Sequence, residues 1–459
     1  MRDTGAPVVG RQRGVWFQTL QPDGGYTPVG ISTRRRSGTA TLGQTREIDP
    51  ADLDLTDLAV FADGPPHDAY RWLRDEAPVF WHEPTAHTPG GEGFWCLTRH
   101  EHVSWAARSA DLLSSDTGGD RDGGGTLIED LPSGFGAGVL FNMTDDPRHG
   151  CVRRLLTPSV SARRLRDLEA ELAVVTDRVL DEVVDAGGCD LLTEVAAEIP
   201  LRAVASLMGV PVEDRHLLLA WADATLDYDD REPGETSAAS QEAAAAMFAY
   251  GSELLAEKRR CPADDLLSIV ATAELPPEAS PGGPLSELEQ QMFFNLLIAA
   301  GSETTRNSIT AGLLALAEQP AAWAALRRDR SGVRPAIEEI LRWASSTIYN
   351  RRTATADLEL AGRQIRAGDK VVLWWQAANF DERAFAAPER LDVARDPNPH
   401  VAFGLGSHYC LGANLARMEI RLVLEGLLDR VDGLELAGPA VRTRSNKHAG
   451  FRSTPIRFL

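Results

Sequence analysis

The sequence predicts a mainly α-helical single domain with a small β-rich lobe, and three observations carry that expectation. Ala, Leu, Val and Glu recur at periods near 3.6 through residues 161–273, the mark of amphipathic helices. Ser286-Glu287-Leu288-Glu289 has the form of a capping box, in which Ser and Glu satisfy each other's free N–H groups, and it opens the longest helical run, to about residue 317. Strand-like stretches, rich in Phe, Trp and Val, are short and few: residues 78–83, 93–98, 351–360 and 370–377. Nothing in the middle of the 459 residues reads as a linker, so a length that would suit two domains is assigned to one.

Composition excludes several function classes. A formal net charge of −20 argues against a sequence-independent nucleic-acid binder and against docking on an anionic membrane. Five cysteines without CxxC spacing suggest neither a zinc site nor a disulfide framework, and the sparse, odd count suits a reducing cytoplasm. The most apolar stretch, residues 292–300, is broken by Asn295 and falls far short of the roughly 20 residues that span a bilayer, so no membrane anchor is expected. Residues 1–47 set Arg2, Arg11, Arg13 and Arg34-Arg35-Arg36 against three acids and lack an apolar core. They read as a disordered basic leader rather than a secretory signal, with the ordered domain over 48–459.

Taken in order, the ordered part opens with a helix near residues 67–75, two strands, and a helix from about residue 100. Residues 111–138 are Gly- and Asp-rich and long for an idle loop. Asp145-Asp146-Pro147 then starts a helix on which His149 and Arg153 share one face. Such a pair is either surface decoration or a clamp for a buried carboxylate. Arg148, Arg154, Arg163, Arg164 and Arg166 gather nearby, as a solvated face or as a landing site for an acidic partner. Breaks at Gly209-Val210-Pro211 and at the acidic residues 228–236 would suit a lid between helices. In the long helix, Ala299-Ala300-Gly301-Ser302-Glu303-Thr304-Thr305 is unusual: small residues before Thr304 would let the helix loosen and leave room for a small ligand. Further on, a short helix begins at Pro320, and Glu339 and Arg342 stand three apart on one helix face, able to pair.

The most informative stretch is Phe403-Gly404-Leu405-Gly406-Ser407-His408-Tyr409-Cys410-Leu411-Gly412. Three glycines around a single Cys mean a backbone that bends tightly and approaches something flat while the sulfur points outward. A helix follows, with Leu415, Met418, Leu422, Leu424, Leu427 and Leu428 at helical spacing, and its N-terminal dipole favours a thiolate. The bland reading is a structural Cys in a turn; the sharper one is a thiolate on a haem iron, which favours O–O cleavage.

With Phe-Gly-x-Gly-x-His-x-Cys-x-Gly complete, the segment resembles the haem-binding loop of the cytochrome P450 family, and the likeness covers about residues 48–459. The resemblance implies the P450 fold, haem b with Cys410 as metal ligand, and Phe403, Gly404 and Gly412 around it. It implies that His149, Arg153, Arg352 and His408 bind the propionates. Ala300 would lie beside the haem, with Thr304 and Glu303 catalytic through oxygen binding and proton relay. Glu339, Arg342 and Arg395 would lock the region beneath the haem. Residues 111–138 would cover the substrate, and residues 345–350 would line the pocket.

Three departures are Gly150-Cys151 where bulkier polar residues are common, Ser346 for a usual proline, and Phe380 for a usual arginine. The implied activity is a monooxygenase that inserts one atom of O2 into a C–H bond, with electrons from NAD(P)H through a ferredoxin reductase and a ferredoxin. Wording around Glu303-Thr304-Thr305-Arg306, Glu339-Ile340-Leu341-Arg342 and Asp396-Pro397-Asn398-Pro399-His400 resembles the actinobacterial subgroup that oxidises sterols and branched lipids. A hydrophobic sterol, terpenoid, branched lipid or secondary-metabolite intermediate, free or carrier-bound, is therefore expected as substrate. A haem electron carrier or gas sensor would need neither the Gly-Ser-Glu-Thr helix nor a long loop over the pocket.

Overall fold

The computed structural model describes residues 49–50, 53–118, 121–225 and 237–459. The leader expected over residues 1–47 and the acidic segment 228–236 lie outside the described residues. Thirteen α-helices are found among those described: α1 (His67–Glu76), α2 (His100–Arg108), α3 (Arg148–Leu156), α4 (Ala162–Asp185), α5 (Glu198–Met208), α6 (Arg215–Thr225), α7 (Ala238–Arg260), α8 (Leu266–Ala271), α9 (Glu287–Ala317), α10 (Pro320–Arg328), α11 (Val333–Ala344), α12 (Trp375–Asn379) and α13 (Ala413–Arg430). Among the described residues no single helix is long and apolar enough to cross a membrane.

The largest core lies where α4, α9, α11 and α13 meet, through Leu180, Ile309, Leu313, Ile340, Leu424 and Leu427. The capping box forms as expected. Ser286 Oγ accepts the Glu289 N–H at 3.2 Å, and Glu289 Oε2 accepts the Ser286 N–H at 2.8 Å. α5 ends at Gly209, whose φ of 69° is in the left-handed region that glycine tolerates.

The helix α9 is continuous, so the loosening expected at Gly301 is not seen. The glycine serves a different end. A Cβ there would sit 2.3 Å from Val204 Cγ2, and one at Gly312 would sit 2.5 Å from Ile340 Cγ2. The two missing side chains let α5 and α11 cross α9 closely, which brings the backbones of the site near each other.

The β-rich lobe is a five-stranded sheet in the order Val79–His82, Phe94–Leu97, Lys370–Trp374, Tyr349–Ala354 and Leu113–Ser114. Pairing is antiparallel except between Lys370–Trp374 and Phe94–Leu97, where Val372 lies opposite Cys96. The expected strand over 370–377 stops at Trp374 and turns into α12, and the one over 351–360 divides into Tyr349–Ala354 and a separate hairpin strand, Leu358–Leu360. A strand unseen in the sequence, Gly188–Asp190, joins a second sheet with Leu434–Leu436 and Pro455–Phe458.

Candidate active site

Cys410 sits just before α13, at the end of a loop whose turns require glycine. Gly404 and Gly406 have φ of 66° and 74°, and a Cβ on Gly406 would meet the Ala107 carbonyl oxygen at 2.4 Å. The loop therefore closes directly onto the end of α2. The Cys410 N–H donates to Phe403 O at 2.9 Å, which fixes the cysteine's backbone. Its side chain is exposed to a cavity of about 440 Å³. Burial pushes the thiol above its ordinary 9.0, while the Gly412 N–H, Arg153 and Arg417 pull it down. A metal cation would tip that balance, because a coordinating thiol is deprotonated.

One rim of the cavity is basic. His149 and Arg153 from α3, Arg352 from Tyr349–Ala354, and His408 from the cysteine loop all line it. The rings of His149 and His408 stack with centroids 4.0 Å apart. Burial depresses all four, taking Arg352 to about 10 and His408 to about 2, and for His408 the charges of Arg352, His149 and Arg153 add to it. His149 Nδ1 is buried without a hydrogen-bond partner. The nearby carboxylates accept hydrogen bonds from backbone groups: Asp145 accepts the Ser115 N–H at 2.8 Å, and Asp146 accepts the Gly150 N–H at 2.8 Å while lying 3.8 Å from His149 Nδ1. Two guanidinium charges on the rim, flanked by two imidazoles that burial keeps neutral and able to donate N–H bonds, call for an anion.

The opposite wall comes from α9, where Ala300, Gly301, Glu303 and Thr304 line the cavity. The Thr304 hydroxyl donates to the Ala300 carbonyl at 2.9 Å. Glu303 Oε2 lies 3.2 Å from His448 Nδ1. Burial, with the Lys447 ammonium beside it, holds the imidazole far below 6.5, at about 3. A neutral imidazole can donate its Nδ1–H to that carboxylate. Ser346, in the position of the usual proline, shares a 2.8 Å hydrogen bond with Ser308 on α9.

Glu339, Arg342 and Arg395 come together away from the cavity, all buried. Arg342 Nε and Nη2 donate to the two carboxylate oxygens at 2.7 and 2.8 Å, and Arg395 Nε donates at 3.0 Å. Phe380, where arginine is usual, puts its ring 5.2 Å from the Arg342 guanidinium.

The basic patch is thinner than the sequence suggests. Arg148 pairs with Glu289, Arg154 donates to Cys151 Sγ at 3.0 Å, and Arg164 pairs with Asp264 at 2.9 Å. Of the five, Arg154, Arg163 and Arg166 are exposed, and the last two have no ion-pair partner among the described residues.

The chain shares 45% identity over 401 residues with cytochrome P450 126 of Mycobacterium tuberculosis, covering 87% of this chain and 96% of that one. This chain belongs to the cytochrome P450 family. A model of the cytochrome P450 family matches residues 232–451. The methyl-branched lipid omega-hydroxylase of Mycobacterium tuberculosis is 37% identical over 428 residues, with 89% of this chain and 95% of that one covered. The steroid C26-monooxygenase of Rhodococcus jostii is 34% identical over 417 residues, with coverage of 89% and 85%. A P450 of Mycobacterium marinum solved with pseudoionone superposes with a TM-score of 0.80 at 35% identity, covering 90% of this chain and 99% of that chain. The protein is thus an oxidoreductase of the P450 monooxygenase type that binds haem b, uses O2 and a redox partner, and acts on hydrophobic molecules.

The residues present fit that cofactor: a thiol opens onto the cavity, a basic rim suits two propionates, and small residues on α9 face the space between. Ser346, Thr347 and Asn350 of the expected 345–350 stretch line the cavity, as do Thr126 and Leu127 of the expected 111–138 wall. Ser345 does not, because its hydroxyl donates to Arg342 O at 2.7 Å in the buried network. Lys447 and His448 were not singled out by sequence, nor were the apolar walls from α5 and α8, Val204, Leu207 and Leu266. The loop holding Lys447 and His448 has no periodicity to mark it.

Proposed function

We propose that this P450 hydroxylates an unactivated C–H bond of a sterol, terpenoid, branched lipid or secondary-metabolite intermediate, with electrons from a ferredoxin in the cytoplasm. The observation that carries the reading is one cavity lined by Cys410, by the basic cluster His149, Arg153, Arg352 and His408, and by Ala300, Glu303 and Thr304. Cys410 is the proposed metal ligand, with Phe403, Gly404 and Gly412 shaping the loop that presents it. Bound there, haem supplies reductive activation of O2, one atom going to the substrate and the other leaving as water.

The chain's own share is positioning and proton supply. The four basic groups hold the propionates, which offsets their own burial. Thr304 offers a hydroxyl at the wall opposite Cys410, and Glu303 holds a proton-accepting group next to it, oriented by His448. The Glu339, Arg342 and Arg395 network keeps the backbone beneath the cysteine loop rigid. The 34% and 37% relatives, a steroid monooxygenase and a branched-lipid hydroxylase, support the substrate range. Exposed Arg163 and Arg166 support an acidic electron donor on the α3–α4 side.

The test is spectral and then catalytic. The ferrous protein with CO should show a thiolate-type Soret band, and turnover should follow when NADPH-fed ferredoxin and reductase are added. Loss of pigment binding in the wild type, or an unchanged band in Cys410→Ser, would overturn the assignment.

A further inference from the structure

Lys447 and His448 reach the cavity from a loop whose backbone is tied down. Ile348 N–H donates to Lys447 O at 2.9 Å, Ala449 N–H donates to Ser346 O at 2.8 Å, and Asn446 Nδ2 donates to Leu55 O at 3.0 Å. The Lys447 ammonium lies 2.7 Å from Tyr349 O, 3.4 Å from Thr126 O, and 4.4 Å from the centre of the Tyr349 ring. Each of these stabilises a cation, but none carries a full negative charge. Among the described residues no carboxylate pairs with it, and Glu129 attracts it only from further away. Burial takes its pKa down to about 7, helped by the charge of Arg352.

An ammonium has three N–H donors, and two of Lys447's have carbonyl partners. The surrounding wall offers neutral polar groups, Thr126, Thr347 and Asn350, and beyond them apolar side chains such as Leu127, Leu207 and Leu297. Such a cavity suits a largely apolar molecule that carries one anionic group. The haem propionates have two arginines and two imidazole donors of their own, so a third cation next to His448 is available to something else.

We propose that Lys447 receives the carboxylate of the substrate, so that this P450 acts on apolar acids rather than on neutral hydrocarbons, alcohols or ketones. This rests on the monooxygenase reading and narrows its substrate class. The carboxylate completes the third N–H of the ammonium and supplies the paired countercharge that, among the described residues, no carboxylate gives Lys447. His448, the next residue along the loop, occupies the Glu303 carboxylate and so keeps it from pairing with the ammonium.

The test uses matched pairs on the haem-loaded protein: a methyl-branched fatty acid and a steroid carboxylic acid, each against its methyl ester, with dissociation constants from calorimetry and from the spin shift. The acids should bind roughly 10- to 100-fold tighter than the esters, the range for one hydrogen bond to a charged group. Lys447→Met should erase that preference, while Lys447→Arg should retain most of it and shows that the loop still folds. Equal binding of acid and ester in the wild type would overturn the proposal. So would a Lys447→Met protein that keeps the acid preference but loses haem affinity, since Lys447 would then serve a propionate. A thiolate-type CO band alongside equal acid and ester binding refutes this proposal alone, whereas absence of that band refutes the reading beneath it.

Discussion

Replacing Glu339 by Gln should destabilise the protein by about 3 kcal/mol, a large part of the roughly 5–15 kcal/mol that a folded domain has in hand. The carboxylate accepts two bonds from Arg342, one from Arg395, one from the Asp392 N–H at 2.9 Å and one from Asn398 Nδ2 at 3.1 Å. Glu339 and Arg342 have no solvent exposure and Arg395 has 9%. Gln keeps the shape but removes the charge, and its NH2 group turns donors toward guanidinium donors. Removing one partner of a buried ion pair costs about 3–5 kcal/mol. The lower end is expected because Arg342 Nη1 also donates to Asn379 O at 2.8 Å and Arg395 Nη1 to Ala386 O at 2.8 Å. Asn379 in turn accepts the Val401 N–H at 2.8 Å, so the disturbance reaches the start of the cysteine loop and haem should dissociate faster. Urea unfolding at pH 7.5, followed by tryptophan fluorescence and by Soret absorbance, reads both effects. A loss below about 1 kcal/mol would show that backbone carbonyls alone satisfy the two guanidinium groups.

Three other outcomes are expected. Asp116 is raised from 3.8 to about 6 by burial and then by Asp145, so the folded chain takes its proton before the unfolded chain does, and stability is lost as pH rises through 6. Asp116→Asn should therefore stabilise the protein by about 1–2 kcal/mol at pH 7.5, after allowance for partial exposure, with the gain fading toward pH 4; equal stability at pH 7.5 would contradict this. Gly301→Ala should cost about 1–3 kcal/mol in thermal or urea unfolding, since its Cβ meets Val204 Cγ2 at 2.3 Å, and adding Val204→Ala should recover part of it; a double variant weaker than the single one would count against the close crossing. Thr304→Ala should lower product formed per NADPH consumed and raise peroxide, and unchanged coupling would remove Thr304 from the proton path.

What the sequence revealed follows from how local each signal is. The cysteine loop was legible because its turns and its cysteine sulfur fall within ten consecutive residues, and the Glu339–Arg342 pair because both stand on one helix. Arg395 was reachable only by family likeness, and the Asp392 N–H and Asn398 completing its network carry no spacing signal. Gly301 was read as looseness because its partner, Val204, lies on another helix far upstream, and close packing between distant segments leaves no periodic trace. The five residues of α12 are too few to show a helical period after a strand. Lys447 escaped notice because it lies in a loop, where neither period applies.

The backbone of the loop around Lys447 is held by Ile348 N–H donating to Lys447 O and Ala449 N–H donating to Ser346 O, bonds that do not depend on which side chain stands at 447. Position 447 can therefore be rewritten while that backbone frame and the distant cysteine turn are kept, whereas His448 is tied to Glu303. On the proposed role of Lys447, an organism, or an engineer, could retune what this enzyme accepts by editing that single C-terminal position, leaving the oxidising machinery intact.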